Sequence, residues 1–479
     1  MDTNEFKKHG HNFVEWMGDY LENISRYPVK PGINPSEIKD QIPFSAPEEG
    51  EDMEKIFEDF LKIIVPGVTH WQHPSFFGYF PANSSYPSLL AEMLTAAMGL
   101  QCMMWETSPA ATELEERMTQ WLRDMAGLPE SWEGVIQDSA SSATLVALIT
   151  AREAATGFKC NDKGVYKEKT MRIYCSTEAH SSIEKGVKAA GFGKENLVKI
   201  PVDGNMAMQP AQLENAIIND LEKGYMPLCV VGALGTTGTV AVDPLEKIAE
   251  ICKKHKLWLH IDAAYAGSAL ILPEYRHLRK GVEYADSFVF NPHKWLFTNF
   301  DCSIYFVKDS GALKKTFEIT PEYLKTDTGS SVNNYRDWGI QLGRRFRALK
   351  LWFVIRNLGA GGLREKLRYH ISLAGLFKDY LLREGTFELT APPAFNVVCF
   401  RWTPEGFAEK EYNNLTRRLL EEINRSGKAF VTHTMVEEKY TIRMVAGQTG
   451  TSEEHIDNLW NLIKTITHEI TRGENKEPY

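Results

Sequence analysis

The chain has 479 residues, of which 43% are hydrophobic and 24% are charged, and its formal net charge at pH 7 is −9. This length and composition allow a large buried core and exceed one typical domain, so we expect two or three structural units. The modest acidic charge comes without a basic stripe, which argues against a nucleic-acid-binding surface.

The sequence shows neither a targeting signal nor a disulfide or zinc-binding pattern. The first residues lack a basic and then apolar signal pattern, and the apolar stretch 89–105 is interrupted by Glu92 and Gln101. We therefore expect neither secretion nor a membrane span. The seven cysteines show neither close pairing nor zinc-ligand spacing. This pattern favours a cytoplasmic protein with reduced thiols and predicts no metal site.

The elements in chain order indicate three domains. Residues 1–85 form an arm, with amphipathic helices over 4–26 and 52–64 joined by a Pro-rich stretch that has no compact core of its own. Residues 86–358 alternate strand and helix patterns, as an α/β domain does. Residues 359–479 mix helices and strands in a smaller α+β domain. The predicted strands lie near 134–137, 171–175, 196–200, 228–233, 257–261, 286–290, 302–307, 395–401, 429–433 and 440–445, and the predicted C-terminal helices lie near 362–383 and 409–426.

Two charged residues follow neighbouring buried strands and suggest a cofactor. Asp262 ends the apolar run 257–261, and Lys294 comes shortly after the run 287–290. A lysine that forms a Schiff base and a carboxylate that keeps a pyridinium nitrogen protonated are what pyridoxal phosphate requires. Ligands of open α/β sheets bind beyond the carboxyl ends of the strands, so both side chains can converge on one cofactor. Taken alone, either residue is more often a cap or a solvated side chain.

Two further segments strengthen this interpretation. The turn Ser139-Ala140-Ser141 leads from a predicted strand into a helix, whose first N–H groups and dipole favour a phosphate. An ordinary serine N-cap explains the same pattern. The polar run 325–334 is rich in turn formers and ends at Tyr335, as a mobile lid or a plain surface linker does. The basic residues around Arg344 and Arg347 predict the charged face of one amphipathic helix.

The ordered motifs resemble one known family. They include His70-Trp71, Phe76 to Pro81, Ser108-Pro109-Ala110, Gln137 to Ser141, Ala179 to Ser182, Gly235 to Gly238, His260 to Gly267, Asn291 to Trp295, Tyr335 to Trp338 and Leu342 to Phe346. Across nearly its whole length the chain resembles the aromatic L-amino acid decarboxylases, which are pyridoxal-phosphate-dependent group II decarboxylases of fold type I. The resemblance implies an aspartate-aminotransferase-like α/β fold with a mostly parallel large-domain sheet. It also implies a homodimer whose active sites lie at the subunit interface and in which the arm, residues 1–85, packs on the partner subunit.

The resemblance assigns residues to roles. The cofactor-binding residues implied are Ala140, Ser141, His180, Thr237, Asp262, Ala264, Asn291, His293 and Lys294. The catalytic residues implied are Lys294, Asp262, His180 and Tyr335, with Tyr335 as the proton donor to the carbon that loses carbon dioxide. The substrate pocket implied is lined by Trp71, Tyr79, Phe80, Pro81, Ala82, Gln101, Met103 and Gly359. Four positions depart from the animal enzymes: Ala82, Gln101, Met103, and Asp138 in place of the usual glycine.

The expected reaction is decarboxylation of an aromatic L-amino acid (tryptophan, 5-hydroxytryptophan, L-dopa, tyrosine or phenylalanine) to its amine. Gly359 matches a position where glycine is associated with indole substrates. The main alternative is a related pyridoxal-phosphate enzyme, either an aromatic aldehyde synthase or a histidine or acidic amino acid decarboxylase. Aldehyde synthases of the family carry Phe and Asn at the positions matched to Tyr335 and His180. A catalytically inactive dimeric scaffold and a nicotinamide-binding protein are weaker alternatives, the latter because 232–238 misses the dinucleotide spacing.

Overall fold

A computed structural model describes residues 1–165, 168–319 and 332–474. The chain forms two compact units. The larger unit consists of Ala82–Ile371 and Ala391–Val397, and the smaller unit combines Met1–Pro81 and Ser372–Thr390 with the described chain from Val398 onward. The three-domain division predicted from the sequence, with boundaries after residues 85 and 358, stays a prediction.

A seven-stranded sheet forms the centre of the larger unit. Its strands are β1 (Glu133–Gln137), β2 (Met171–Ser176), β3 (Leu197–Ile200), β4 (Met226–Ala233), β5 (Trp258–Asp262), β6 (Ser287–Phe290) and β7 (Ser303–Val307). Their order is β1-β7-β6-β5-β4-β2-β3. Only β7 runs antiparallel to its neighbours, and the pairs from β6 to β3 are parallel. The residues of β6 and β7 are all buried, as expected for strands covered on both faces.

Helices alternate with these strands along the chain. Their bounds are α3 (Tyr86–Met98), α4 (Pro109–Ala126), α5 (Ala140–Ala155), α6 (Cys160–Lys163), α7 (Ser181–Ala189), α8 (Pro210–Glu222), α9 (Leu245–His255), α10 (Pro292–Trp295) and α11 (Ser310–Phe317), followed by α12 (Arg347–Glu384). Helices α4, α5, α8 and α9 pack against the sheet. Proline lies in the first turn of four helices, where its missing N–H group breaks no helical hydrogen bond; these are α3, α4, α8 and α10. Gly359, with φ +69°, interrupts α12.

The smaller unit has its own sheet and core. Its helices are α1 (Thr3–Glu22), α2 (Met53–Asp59), α13 (Glu409–Arg425) and α14 (Glu453–Glu474), and its strands are β8 (Phe387–Leu389), β9 (Val397–Trp402), β10 (Thr432–Val436) and β11 (Lys439–Val445), in the order β10-β11-β9-β8. Asp2 caps α1 by accepting from the N–H groups of Asn4 and Glu5. Buried apolar residues such as Phe77 and Ile442 form one hydrophobic cluster.

The structure confirms the seven predicted strands of the large sheet and corrects three other predictions. The strand predicted over 429–433 is β10, which begins at Thr432. The arm helix predicted over 4–26 ends at Glu22. The third correction concerns the basic cluster: Arg344 precedes α12 and is buried, and Lys350 is also buried. The Arg344 guanidinium contacts the buried carboxylate of Glu115, and the Lys350 ammonium contacts the half-buried carboxylate of Glu92. Arg345 alone of these three is exposed, as the prediction of a charged face requires.

Within the described ranges, no helix is both long and apolar enough to cross a bilayer. The same residues contain no group of three or more His, Cys, Asp or Glu side chains arranged to bind a metal ion. All seven cysteines are buried thiols.

Candidate active site

Asp262 and Lys294 lie at the ends of two paired parallel strands. β5 and β6 are neighbours, and Asp262 is in register with Val289. The strand β6 ends at Phe290, and Lys294 follows within the single turn of α10. The backbone N–H of Asn291 donates to the carbonyl of Ala264 at 3.0 Å, which holds the two strand ends together. The two predicted cofactor-binding side chains therefore come from the same edge of the sheet.

Buried polar side chains fix the turn that carries Lys294. Asn291 Oδ1 accepts from the Ser303 hydroxyl at 2.6 Å. His293 Nδ1 accepts from the Cys302 N–H at 2.8 Å. Burial, and then the nearby charge of Lys294, lowers the pKa of His293 to about 3. His293 is therefore a neutral acceptor that holds the turn in place.

Asn83 also holds this turn, although no sequence pattern marked it. Its backbone N–H donates to the His293 carbonyl at 3.1 Å, and its Nδ2 donates to the Lys294 carbonyl at 2.9 Å. The side chain is fully buried. Because 211 residues separate Asn83 from Lys294, only the tertiary fold brings them together.

The start of α5 is built as predicted. Ser139 has extended backbone angles and accepts from the Ser142 N–H at 3.2 Å. Ala140 is buried, and Ser141 is exposed. The start of this 16-residue helix has the N–H groups and the dipole that favour an anion. Asp138 Oδ1 accepts from the Ser139 hydroxyl at 3.2 Å.

His180 is the N-cap of α7 and lies within electrostatic reach of both Asp262 and Lys294. Its Nδ1 accepts from the Ser182 N–H at 3.1 Å. Desolvation lowers the pKa of His180, Asp262 opposes this shift, and Lys294 and Lys185 add to it. At neutral pH the imidazole is therefore uncharged, and its Nδ1 accepts the hydrogen bond from the first turn of α7.

Thr237 and Ala264 follow neighbouring strands at the same edge of the sheet. β4 pairs with β5, with Ala233 in register with Asp262. Thr237 comes four residues after β4 and is exposed, whereas Ala264 is half-buried. The Ala264 N–H donates to Asp262 Oδ1 at 3.1 Å, so Ala264 limits how the carboxylate turns.

Tyr335 lies in a different neighbourhood. Its side chain is 3% exposed. The centres of the Tyr335 and Trp338 rings lie 5.3 Å apart, and the central carbon of the Arg344 guanidinium lies 4.7 Å from the centre of the Tyr335 ring. Burial and then the carboxylates of Glu115 and Glu116 raise the pKa of Tyr335 well above its usual value. No described contact brings this hydroxyl to Lys294 or Asp262. The predicted lid residues 325–331 lie outside the described residues.

The predicted substrate-pocket residues divide between the two units. In the smaller unit, Trp71 stacks on Tyr79 at 5.7 Å, and Arg443 lies 4.8 Å from the Phe80 ring centre. Pro81 ends the first segment of this unit, and Ala82 begins the larger unit. The larger unit also contains Gln101, Met103 and Gly359.

Gly359 has a conformational reason to be glycine. Its φ of +69° is strained for other residues, yet no neighbouring atom lies within 4 Å of the position that a Cβ would occupy. A side chain at this position therefore meets backbone strain but no steric clash.

The residues of the larger unit fit pyridoxal phosphate. A lysine and a carboxylate end adjacent strands, a neutral imidazole lies within electrostatic reach of both, and a helix start offers N–H groups to an anion. These are the donor and acceptor types that the cofactor's aldehyde, ring nitrogen and phosphate require.

A family model described as the pyridoxal-dependent decarboxylase conserved domain matches residues 35–403. This chain belongs to the pyridoxal-dependent decarboxylase family. The tyrosine decarboxylase 2 of Narcissus pseudonarcissus and the phenylacetaldehyde synthase of Arabidopsis thaliana are each 41% identical to it over 474 residues. The alignments cover 97% of this chain and 94% and 96% of the respective relatives.

Solved structures agree with the family membership. The crystal structure of Oryza sativa TDC with PLP and tryptamine matches this pyridoxal-dependent decarboxylase with a TM-score of 0.95 at 34% identity, covering 98% of this chain and 99% of the other. The family resemblance, the fold class and the cofactor predicted from the sequence are confirmed.

Proposed function

We propose that this protein decarboxylates aromatic L-amino acids to arylalkylamines with pyridoxal phosphate. The observation that carries the proposal is the pairing of Asp262 and Lys294 on adjacent strand ends, with neutral His180 within electrostatic reach. The names of the related tyrosine decarboxylase and of the TDC structure with tryptamine support aromatic substrates.

Each residue of the larger unit has a proposed task. With pyridoxal phosphate bound, the Lys294 amine would hold the cofactor through its aldehyde carbon, and the Asp262 carboxylate would keep the ring nitrogen protonated. Ala140 and Ser141 hold the phosphate at the start of α5, while Thr237 and Ala264 border the ring. Asn291 and His293 keep the Lys294 turn in place through their buried hydrogen bonds. Bound pyridoxal phosphate supplies the electron sink for the pair released when carbon dioxide leaves.

Neutral His180 packs against the ring and orients the substrate in this proposal. Its Nδ1 is held by the Ser182 N–H, so the imidazole cannot rotate freely about its bond to the chain. Trp71, Tyr79, Phe80 and Pro81 of the smaller unit offer flat apolar surfaces that suit an aromatic side chain. Ala82, Gln101, Met103 and Gly359 of the larger unit are proposed to set the size of side chain that is accepted. Tryptophan, 5-hydroxytryptophan, L-dopa, tyrosine and phenylalanine are the candidate substrates.

The proton donor needs a separate test. We propose that a tyrosine of the segment 320–337 donates the proton to the carbon that loses carbon dioxide, and this segment contains Tyr323 and Tyr335. The buried packing of Tyr335 against Trp338 and Arg344 favours a structural task for it. Tyr335→Phe should then retain amine formation with lower stability, whereas Tyr323→Phe should slow it strongly or yield aldehyde. The reverse result would restore Tyr335 as the donor.

The reaction class is tested by product analysis. Purified protein with pyridoxal phosphate receives each of the five aromatic amino acids, histidine or glutamate, and mass spectrometry identifies the products. Arylalkylamine formation that is absent in Lys294→Ala supports the proposal. Aldehyde with ammonia would identify an aldehyde synthase, the activity named for the Arabidopsis relative. Reaction with histidine or glutamate alone would overturn the aromatic assignment.

We also propose that two copies of this chain form a homodimer in the cytoplasm. One face of α3 presents a helical stripe of apolar side chains, and each is between 42% and 64% exposed. These are Tyr86, Leu90, Met93, Leu94 and Met98. A contiguous apolar stripe of this kind is typical of a protein interface. Gln101 and Met103 follow it directly, which agrees with their expected place near a subunit interface.

Sedimentation measures the assembly. The wild-type chain should sediment with twice its mass of 54.3 kDa. The variant Leu90→Glu/Leu94→Glu should shift toward the monomer because two buried charges would destabilise the interface. Leu221→Glu, at a similarly exposed leucine on α8, is the matched control and should remain dimeric. A monomeric wild type would overturn the dimer.

A further inference from the structure

A buried ion pair outside the residues assigned so far links three parts of the larger unit. Arg344 Nη2 lies 2.6 Å from Glu115 Oε1, and their side chains are 6% and 3% exposed. Removing two charges from water is unfavourable unless further hydrogen bonds satisfy them. The contacts of this pair therefore indicate what it holds together.

The pair closes the outer edge of β1. Glu115 Oε1 accepts from the Ile136 N–H at 2.7 Å, and Arg344 Nη2 donates to the Ile136 carbonyl at 2.8 Å. β1 is one of the two edge strands of the described sheet, so the peptide groups on its outer side have no strand partner there. Three residues beyond Ile136, Ser139 caps the helix proposed to hold the cofactor phosphate. The ion pair thereby fixes the strand that aims this turn.

Arg344 also contacts Tyr335 and the segment 101–102. Its guanidinium lies over the Tyr335 ring at 4.7 Å. Its backbone N–H donates to Gln101 Oε1 at 2.7 Å, and its carbonyl accepts from the Cys102 N–H at 3.0 Å. Gln101 belongs to the proposed substrate pocket. The side chain of Arg344 thus contacts β1, which precedes the proposed phosphate turn, and its backbone contacts Gln101 of the proposed substrate pocket.

We propose that Glu115 and Arg344 are positioning residues that couple cofactor binding to the substrate pocket. Neither is proposed to touch substrate or cofactor. They act through Ile136, which leads into the turn 138–141, and through Gln101 and Tyr335. The inference rests on the proposed function, because it assigns the cofactor phosphate to that turn.

The variants Arg344→Lys and Glu115→Gln test the pair. Lysine keeps the charge but lacks the planar guanidinium that bonds Glu115 and Ile136 while it lies over the Tyr335 ring. Glutamine keeps an acceptor for the Ile136 N–H but removes the ion pair. The matched control is Arg345→Met, at the adjacent and exposed arginine, whose partner Glu92 keeps its contact with Lys350.

The first readout is the dissociation constant of pyridoxal phosphate for the apoprotein, from quenching of tryptophan fluorescence. We expect it to rise at least about tenfold in both variants and to stay within about twofold in the control. The substrate KM should rise in the same two variants. Because the pair acts as a unit, the double variant should bind cofactor about as weakly as either single variant. Effects that multiply, or a dissociation constant that does not change, would overturn the coupling.

A second measurement uses only the wild-type protein, so it does not depend on the folding of a variant. Hydrogen–deuterium exchange compares the apoprotein with the cofactor-loaded protein. Coupling predicts that pyridoxal phosphate slows exchange both in β1 and in residues 332–346. Slower exchange confined to 138–141 would refute it. A wild type that binds no pyridoxal phosphate would instead refute the proposed function.

Discussion

His260 should make the larger unit sensitive to acid. The side chain is fully buried in β5. Its Nδ1 lies 2.9 Å from the Ser287 hydroxyl, and its Nε2 lies 3.3 Å from the Thr144 hydroxyl. Thr144 belongs to α5 and Ser287 to β6, so the imidazole joins the elements that carry the phosphate turn and Lys294. Ser287 already accepts from Trp258 Nε1 at 3.0 Å, which leaves its own proton for His260 Nδ1.

Protonation of His260 is therefore unfavourable in the folded protein. Burial lowers its pKa from 6.5 to about 4, with Asp262 opposing the shift. The unfolded chain binds a proton more readily between these two values, so stability is lost as the pH falls from 6.5 through 4. Between pH 7.5 and 5.0 this single group should lower the free energy of unfolding by about 2 kcal/mol. Buried His293, whose pKa is lowered to about 3, acts in the same direction.

The assay is urea unfolding of the apoprotein at pH 7.5 and 5.0, for wild type and His260→Gln. Glutamine retains a donor and an acceptor but does not titrate, so the variant should lose about 2 kcal/mol less than wild type over this interval. Subtracting the two losses removes the contribution of every other titrating group. His433→Gln, at an exposed histidine of β10, is the control and should behave as wild type. Equal losses in wild type and His260→Gln would refute the reasoning.

Three further predictions concern the remainder of the molecule. Phe77→Ala should lower the free energy of unfolding by about 3–5 kcal/mol in urea titrations, because Phe77 is fully buried in the core of the smaller unit. Glu274→Gln should leave the melting temperature unchanged within error, because Glu274 and Arg368 are both exposed and solvent screens the pair. This holds even though two hydrogen bonds from Arg368 lower the pKa of the Glu274 carboxyl to about 2. A thiol reagent should label none of the seven cysteines in the native protein and all of them in denaturant, since all seven are buried.

Local patterns in the sequence were sufficient to predict the seven strands of the large sheet and to place Asp262 and Lys294 after neighbouring strands. The runs before Asp262 and Lys294 are continuous and apolar, which is typical of strands buried on both faces, and a parallel sheet places the ends of such strands at one edge. The serine turn before α5 was equally readable, because helix caps depend on residues close in sequence. The motifs added the family, which the comparisons confirm.

Tertiary contacts decided the remainder. Asn83 supports the Lys294 turn from 211 residues away, and Arg344 meets Glu115 across 229 residues. Nothing in the local sequence distinguishes such an asparagine from a solvated one. The basic cluster around Arg344 was predicted as a charged helix face for the same reason: an exposed arginine and one buried beside a distant carboxylate have identical local patterns.

The sequence by itself determined where most of the strands and helices lie and which residues are predicted to hold the cofactor, since backbone preferences and apolar periodicity act over a few residues. The tertiary structure decided which charges are buried, which histidines are neutral and how Tyr335 packs. Burial and the field of nearby charges arise only when distant segments meet, so the pKa values of His180 and His293 follow from the fold.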